Sequence, residues 1–300
     1  MKRTLPGALA QALIAVPLLA VPLLATSPPT GPTVVPQAEL AALLDSVAPA
    51  ILRVEAVVKV KLNMAGQGEE QDSRFELMGA VVDPRGLLMM WNSHISSARV
   101  SELMREMGPG GGFDVDMRPT AFTVSLGDGR GDVPAFLAAT ESNLDLAFLQ
   151  LEHPPAAPLP FVDFAASATP AVGELVAAVH RLGRGFDYAP YLQTARIGGV
   201  LAKPRRAYIP DGSLAALGLP VFDLAGRPVG ALTTVLSRVG DEPGAALGVR
   251  RLMGALTQGQ GAAGPLGTFI LPGERVADLV ALARAQADEL LAQRQAAERP

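Results

Sequence analysis

His94 and Asp145 are the two side chains of this 300-residue chain whose settings suit proton-transfer chemistry. An imidazole oriented by a carboxylate is a general base, able to take the proton of a hydroxyl nucleophile during acyl transfer. His94 lies in Trp91-Asn92-Ser93-His94-Ile95, directly after an apolar run. Asp145 lies in Leu144-Asp145-Leu146-Ala147-Phe148-Leu149, which reads as a buried strand. An aspartate between leucines needs a partner to be tolerated. A bond to His94 would supply one, so the pair has a structural use as well as a chemical one. Ser93 adjoins His94, but on a strand it points to the opposite face and reads as structural.

Other reactive chemistry is thin. His153 precedes two prolines, His180 sits at a strand end, and the three histidines have no metal-ligand spacing. The chain has no cysteine, which excludes thiolate metal sites, redox motifs and a lipidated cysteine. No cofactor and no metal are expected. Gly108-Pro109-Gly110-Gly111-Gly112 lacks the Gly-Lys-Ser/Thr ending and the preceding strand of a phosphate loop, so it reads as a surface insertion.

With 49% hydrophobic and 18% charged residues the chain can bury a substantial core. The net charge of −4, with no Lys/Arg cluster marking a basic patch, gives no reason to expect nucleic acid as a partner. At the N-terminus Lys2 and Arg3 precede an apolar stretch from Leu5 to Ala25, followed by the small residues Thr26 and Ser27. Residues 1–27 therefore read as a secretory signal cleaved after Ala25 or Ser27, or as an uncleaved anchor broken by Pro17 and Pro22. Either reading exports the remainder to a periplasmic or extracellular space, and a membrane is a partner only if this segment is retained. Residues 28–36 carry four prolines and read as a stiff linker.

The elements that must position His94 and Asp145 follow from periodicity. Gln37 to Val47 has helical spacing and is stopped by Pro49. Strands are expected at 51–62, 75–82, 87–91, 121–126, 133–139 and 144–151, with Asp83-Pro84-Arg85-Gly86 and Gly127-Asp128-Gly129 as turns. Residues 63–74 read as an exposed loop, and 97–107 as a short helix. After a proline-rich connector, strands are expected at 173–179, 191–200, 219–223, 228–236 and 267–271. Short strands at this spacing argue for barrels or sandwiches. The chain closes on a helix from Gly273, with Val276, Leu279, Val280, Ala283, Ala287, Leu290 and Leu291 in one apolar stripe suited to packing or self-association.

Several segments, in order, resemble the HtrA/DegP-type branch of the trypsin-like serine proteases. Ser46 to Val54 is similar to that family's opening helix-to-strand segment. Gly79-Ala80-Val81-Val82-Asp83-Pro84-Arg85-Gly86 followed by Asn92-Ser93-His94 resembles its approach to the catalytic histidine. Leu126-Gly127-Asp128-Gly129-Arg130 and Leu144-Asp145-Leu146-Ala147 resemble the hairpin and strand of its catalytic aspartate. Val172 to Val179, Gly226-Arg227-Pro228-Val229-Gly230 and Phe269-Ile270-Leu271-Pro272 resemble landmarks of its second barrel. The resemblance covers roughly Leu40 to Ala283. It implies an all-β domain at 37–272 of two antiparallel six-stranded β-barrels, about 50–152 and about 160–272. A C-terminal helix follows at 273–300, and no PDZ-like segment is read after it.

The departures decide the expected function. Counting back from Pro220 onto the family's Gly-Asn-Ser-Gly-Gly-Pro loop places Leu217 where the serine stands and Ala215 and Ala216 before it, in the oxyanion loop. A leucine supplies no nucleophile, and loss of one oxyanion donor costs roughly 10²–10³ in rate. The resemblance then implies that His94 and Asp145 are triad remnants in an exported pseudoprotease that binds peptides or unfolded segments, alone, as a homo-oligomer or with an active relative. Two alternatives stay open: an active endopeptidase using Ser213 through a rearranged loop, and a membrane-tethered structural subunit.

Overall fold

The computed structural model describes residues 37–64, 67–98, 113–127, 131–203, 205–235 and 267–297. The segments expected as leader and linker (1–36), the glycine run after His94 and nearly all of the helix expected at 97–107 lie outside these residues.

Among the described residues, helix α1 (Gln37–Val47) leads into strands β1 (Ile51–Met64), β2 (Gln67–Asp83), β3 (Leu87–Trp91), β4 (Phe113–Ser125), β5 (Asp132–Glu141) and β6 (Leu146–Leu151). These close an antiparallel barrel in the order β1-β2-β3-β6-β5-β4. A second set, β7 (Leu175–Arg181), β8 (Pro190–Leu201), β9 (Ala207–Asp211), β10 (Pro220–Phe222), β11 (Pro228–Val235) and β12 (Gly267–Pro272), closes another barrel in the order β10-β11-β12-β9-β8-β7. Helix α2 (Gly273–Ala297) follows. Two closed six-stranded antiparallel barrels and a C-terminal helix are consistent with a trypsin-like fold.

Alternation builds the first barrel. Val54, Ala56 and Val58 point inward with 0% exposure, while Arg53, Glu55 and Lys59 point outward. β3 and β6 lack alternation because both faces are covered. Leu88, Met90, Ala147, Leu149 and Leu151 fill the first barrel, whereas Leu87, Met89, Leu146 and Phe148 join the core shared with the second barrel and α2.

Three differences from the sequence reading have physical reasons. Among the described residues, the polar segment 63–74 is strand and not loop; β1 and β2 stay paired from Ile51↔Ala80 to Met64↔Gln67. Ladder bonds are made by the backbone, and cross-strand ions such as Lys59–Glu70 (3.1 Å) and Arg74–Glu55 (3.6 Å) suit a solvated face. β4 starts eight residues before the expected Ala121, despite Pro119. Its register shifts between Val57 and Val58, a bulge that seats a residue lacking an N–H. β9, short and interrupted by Pro210, has no signal in the pattern, yet it closes the second barrel between β12 and β8.

The stripe on α2 is used within the chain. Val276, Leu279, Val280, Ala283 and Ala287 are buried, and Leu290 and Leu291 pack against the same core. The helix touches β11 and β12 of one barrel and β2 and β5 of the other. Arg85 is bidentate to Asp288 (3.0 and 3.3 Å), Arg284 meets the buried Asp83 at 2.6 Å, and Arg294 lies 4.4 Å from the Phe136 ring centre. The helix thus clamps both barrels, and its apolar stripe is not a free surface for self-association.

Candidate functional site

Pairing of β3 with β6 brings the two predicted residues into one neighbourhood. Trp91 faces Leu146 in that ladder, so the turn after β3 and the turn before β6 lie side by side. His94 ends a 3₁₀ turn, Asn92–His94, closed by the Ile95 N–H donating to the Asn92 carbonyl (2.9 Å). Asp145 has φ 58°, and its carbonyl accepts from the Asn92 N–H at 3.0 Å.

The Asp145 carboxylate, with 0% exposure, is bonded among the described residues to Trp91, Ser93 and Thr234. Trp91 Nε1–H donates to Oδ2 at 2.6 Å, Ser93 Oγ lies 2.7 Å from both oxygens, and Thr234 Oγ1 donates to Oδ2 at 3.1 Å. Trp91, Ser93 and Thr234 are themselves buried. Charge-assisted bonds of this kind compensate a desolvated carboxylate. Among the described residues no hydrogen bond joins Asp145 to His94. The expected His–Asp bond is thus replaced by donors from the Trp-Asn-Ser-His segment and from β11. Ser93 is structural, as its position suggested, but it sits in the turn and points at Asp145. Thr234 also ties the barrels together, and next to it Thr233 Oγ1 donates to the Leu144 carbonyl.

His94 is half-buried, its ring edge-on to Trp91 with centroids 4.4 Å apart. Burial, and secondarily the charge of His180, lowers its pKa to about 4. His180, on β7, is also lowered by burial, opposed by the bond between its Nδ1 and the Arg181 carbonyl (2.7 Å). Both imidazoles are therefore neutral bases in the fold at neutral pH. The unfolded chain binds the His94 proton first as pH falls. Its contribution to stability is full above about pH 6.5 and is lost as pH falls towards about 4. His94→Gln should remove that part of the acid sensitivity, leaving the part due to His180, in urea midpoints compared between about pH 7 and about pH 4.

The loop expected to carry a nucleophile lies against the same corner. Gly218 has φ +75°, and a Cβ there would stand 2.2 Å from the Trp91 nitrogen and 2.6 Å from the Met90 carbonyl carbon. Its N–H donates to the Leu232 carbonyl at 2.8 Å, and the Leu219 N–H to the Ala216 carbonyl at 2.9 Å. Leu214, Ala216 and Leu219 are buried, and Leu217 packs half-buried on the core of the second barrel. The Ala215 N–H, at the first position of the oxyanion loop in the resemblance, donates to Gln193 Oε1 on β8 at 2.7 Å. Ser213 is exposed, and among the described residues no hydrogen bond joins it to His94.

Trp91, Thr234 and Gln193 were not singled out by the sequence reading. Trp91 carried a signal, as the sole tryptophan of the chain, three residues before His94. Thr234 and Gln193 carried none. Among the described residues no group of three potential metal-binding side chains is found. No helix there is long and apolar enough to cross a membrane. Compared with known protein families and with curated proteins, the chain matches none of them.

Proposed function

We infer that this chain is an exported, non-catalytic relative of the HtrA-type proteases that binds extended peptide or unfolded protein segments. One observation carries the reading: His94 has neither a carboxylate nor a hydroxyl hydrogen-bonded to it among the described residues. The base of an acyl-transfer site must be oriented on one side and bonded to its nucleophile on the other. Here Asp145 is committed to Trp91, Ser93 and Thr234. Leu217, the residue aligned with the nucleophile, is aliphatic, and the neighbouring Ala215 N–H is occupied by Gln193. Such a scaffold keeps the loops that link its strands, and holding an extended chain against them needs no catalytic group.

Carboxymethylated casein tests both halves of the reading. Saturable binding with the casein recovered intact is expected. Fragments that accumulate with the wild-type chain and vanish with His94→Ala, or an absence of binding, would contradict it. Restoring the hydroxyl alone should not restore turnover: Leu217→Ser is expected to leave casein hydrolysis at background, since the base stays unoriented and the oxyanion donor stays capped. Hydrolysis by that variant more than about a hundredfold above background would show an operative site. Export predicts that the mature chain, recovered from its producing cells, begins near residue 26 or 28, which an intact-mass measurement reads.

A further inference from the structure

Sequence order separates Arg275 from the neighbouring Arg205 and Arg206, but the fold gathers all three around one hollow. Arg205 and Arg206, between β8 and β9, and Arg275, in the first turn of α2, line a cavity of about 470 Å³ with Glu274 and the apolar floor of Leu271 and Pro272. The exposed Lys203 lies in the same β8–β9 connection.

The local carboxylates do not neutralise this group. Arg206 reaches Glu274 only at 3.8 Å, with both side chains about half exposed, and Arg275 reaches Asp278 at 3.3 Å in an equally exposed pair. Exposed pairs of this kind contribute little. Arg205 has no ion pair or hydrogen bond among the described residues. Three guanidinium groups therefore stand with two carboxylates, on a chain whose overall net charge is −4. Like charges converging on a concave surface repel one another unless an anion lies between them, and a concave wall focuses their field. Guanidinium groups present paired N–H donors that match phosphate oxygens two at a time. The volume exceeds that of a bare phosphate and falls in the range of small-molecule sites.

We propose that this hollow binds a phosphate monoester or diphosphate group, gripped by Arg205, Arg206 and Arg275. The group is presented either by a small soluble molecule or by a lipid headgroup. The site stands apart from the His94 corner and does not depend on the peptide-binding reading.

Titration calorimetry of the full chain with inorganic pyrophosphate tests the proposal. Saturable one-to-one binding is expected, weakened at least about tenfold in the Arg205→Ala/Arg275→Ala double variant. It should be unchanged in Arg118→Ala, an exposed arginine on β4. All three side chains in the hollow are exposed, so the variant should keep the wild-type thermal midpoint without ligand. Arg205→Lys, which keeps the charge but loses the paired donors, should bind with intermediate affinity. Flotation with phosphatidate vesicles, against phosphatidylcholine vesicles, separates the sources. Co-flotation lost in the double variant assigns a lipid headgroup. Pyrophosphate binding without flotation assigns a soluble phosphate compound. Binding of neither probe, or binding that the double variant leaves unaltered, overturns the proposal.

Discussion

Gly218→Ala is expected to lower the stability of the protein by at least about 3 kcal/mol. Two costs add at this position. Its left-handed φ of +75° carries a penalty of about 1–2 kcal/mol for any residue with a Cβ. The methyl would also fall 2.2 Å from the Trp91 nitrogen, against backbone that cannot rotate away. Relief requires the loop to lift off the end of β3, which breaks the Gly218–Leu232 hydrogen bond and opens the packing of Leu219. Gly173→Ala is the matched control: φ is +89° and nothing lies within 4 Å of the added carbon, so only the backbone penalty of about 1–2 kcal/mol applies. Urea unfolding of the two variants reads the difference. Equal losses would show that the loop does not press on Trp91.

Asp145→Ala is the second large effect, an expected loss of about 3–5 kcal/mol. Truncation removes the carboxylate that Trp91 Nε1, Ser93 Oγ and Thr234 Oγ1 bond to, and a buried donor that loses its acceptor costs about 1–3 kcal/mol. The gain from no longer burying a carboxylate offsets part of that sum. Trp91 is the sole tryptophan, so intrinsic fluorescence reports this network directly. The spectrum of Asp145→Ala should shift in the folded state, where a change elsewhere in the barrel would leave it unmoved. His94→Ala should cost far less than Asp145→Ala, because no hydrogen bond joins the two. Equal losses would instead indicate a coupled His–Asp pair.

Much of the architecture was legible in the sequence because burial writes a period into it. Val54, Ala56 and Val58 announce an inward face. Continuous apolar β3 and β6 announce strands covered on both sides, and the stripe from Val276 to Ala287 announces a packed helix. What stayed hidden depends on pairing rather than side-chain type. The polar start of β2 is a strand because β1 lies beside it, and β9 because β8 and β12 flank it. The site divides in the same way. Residue types located His94, Asp145 and Leu217, and β3–β6 pairing brings the first two turns together. They did not reveal that Asp145 would take its donors from Trp91, Ser93 and Thr234. Nor did they reveal that Gln193 would reach Ala215 from a neighbouring strand, since such partners are fixed only when the barrels close. The arginine hollow beside α2 was only partly legible: Arg205 and Arg206 are neighbours in sequence, and the fold alone brings the distant Arg275 to them.

The proposed function requires that His94 activate no hydroxyl among the described residues. Reaction of the purified chain with a serine-reactive fluorophosphonate, followed by peptide mass mapping, tests it most directly. No phosphonylated serine, Ser213 included, is expected above the level in heat-unfolded protein. A stoichiometric adduct on any serine or threonine, formed by the wild type and absent from His94→Ala, would contradict it.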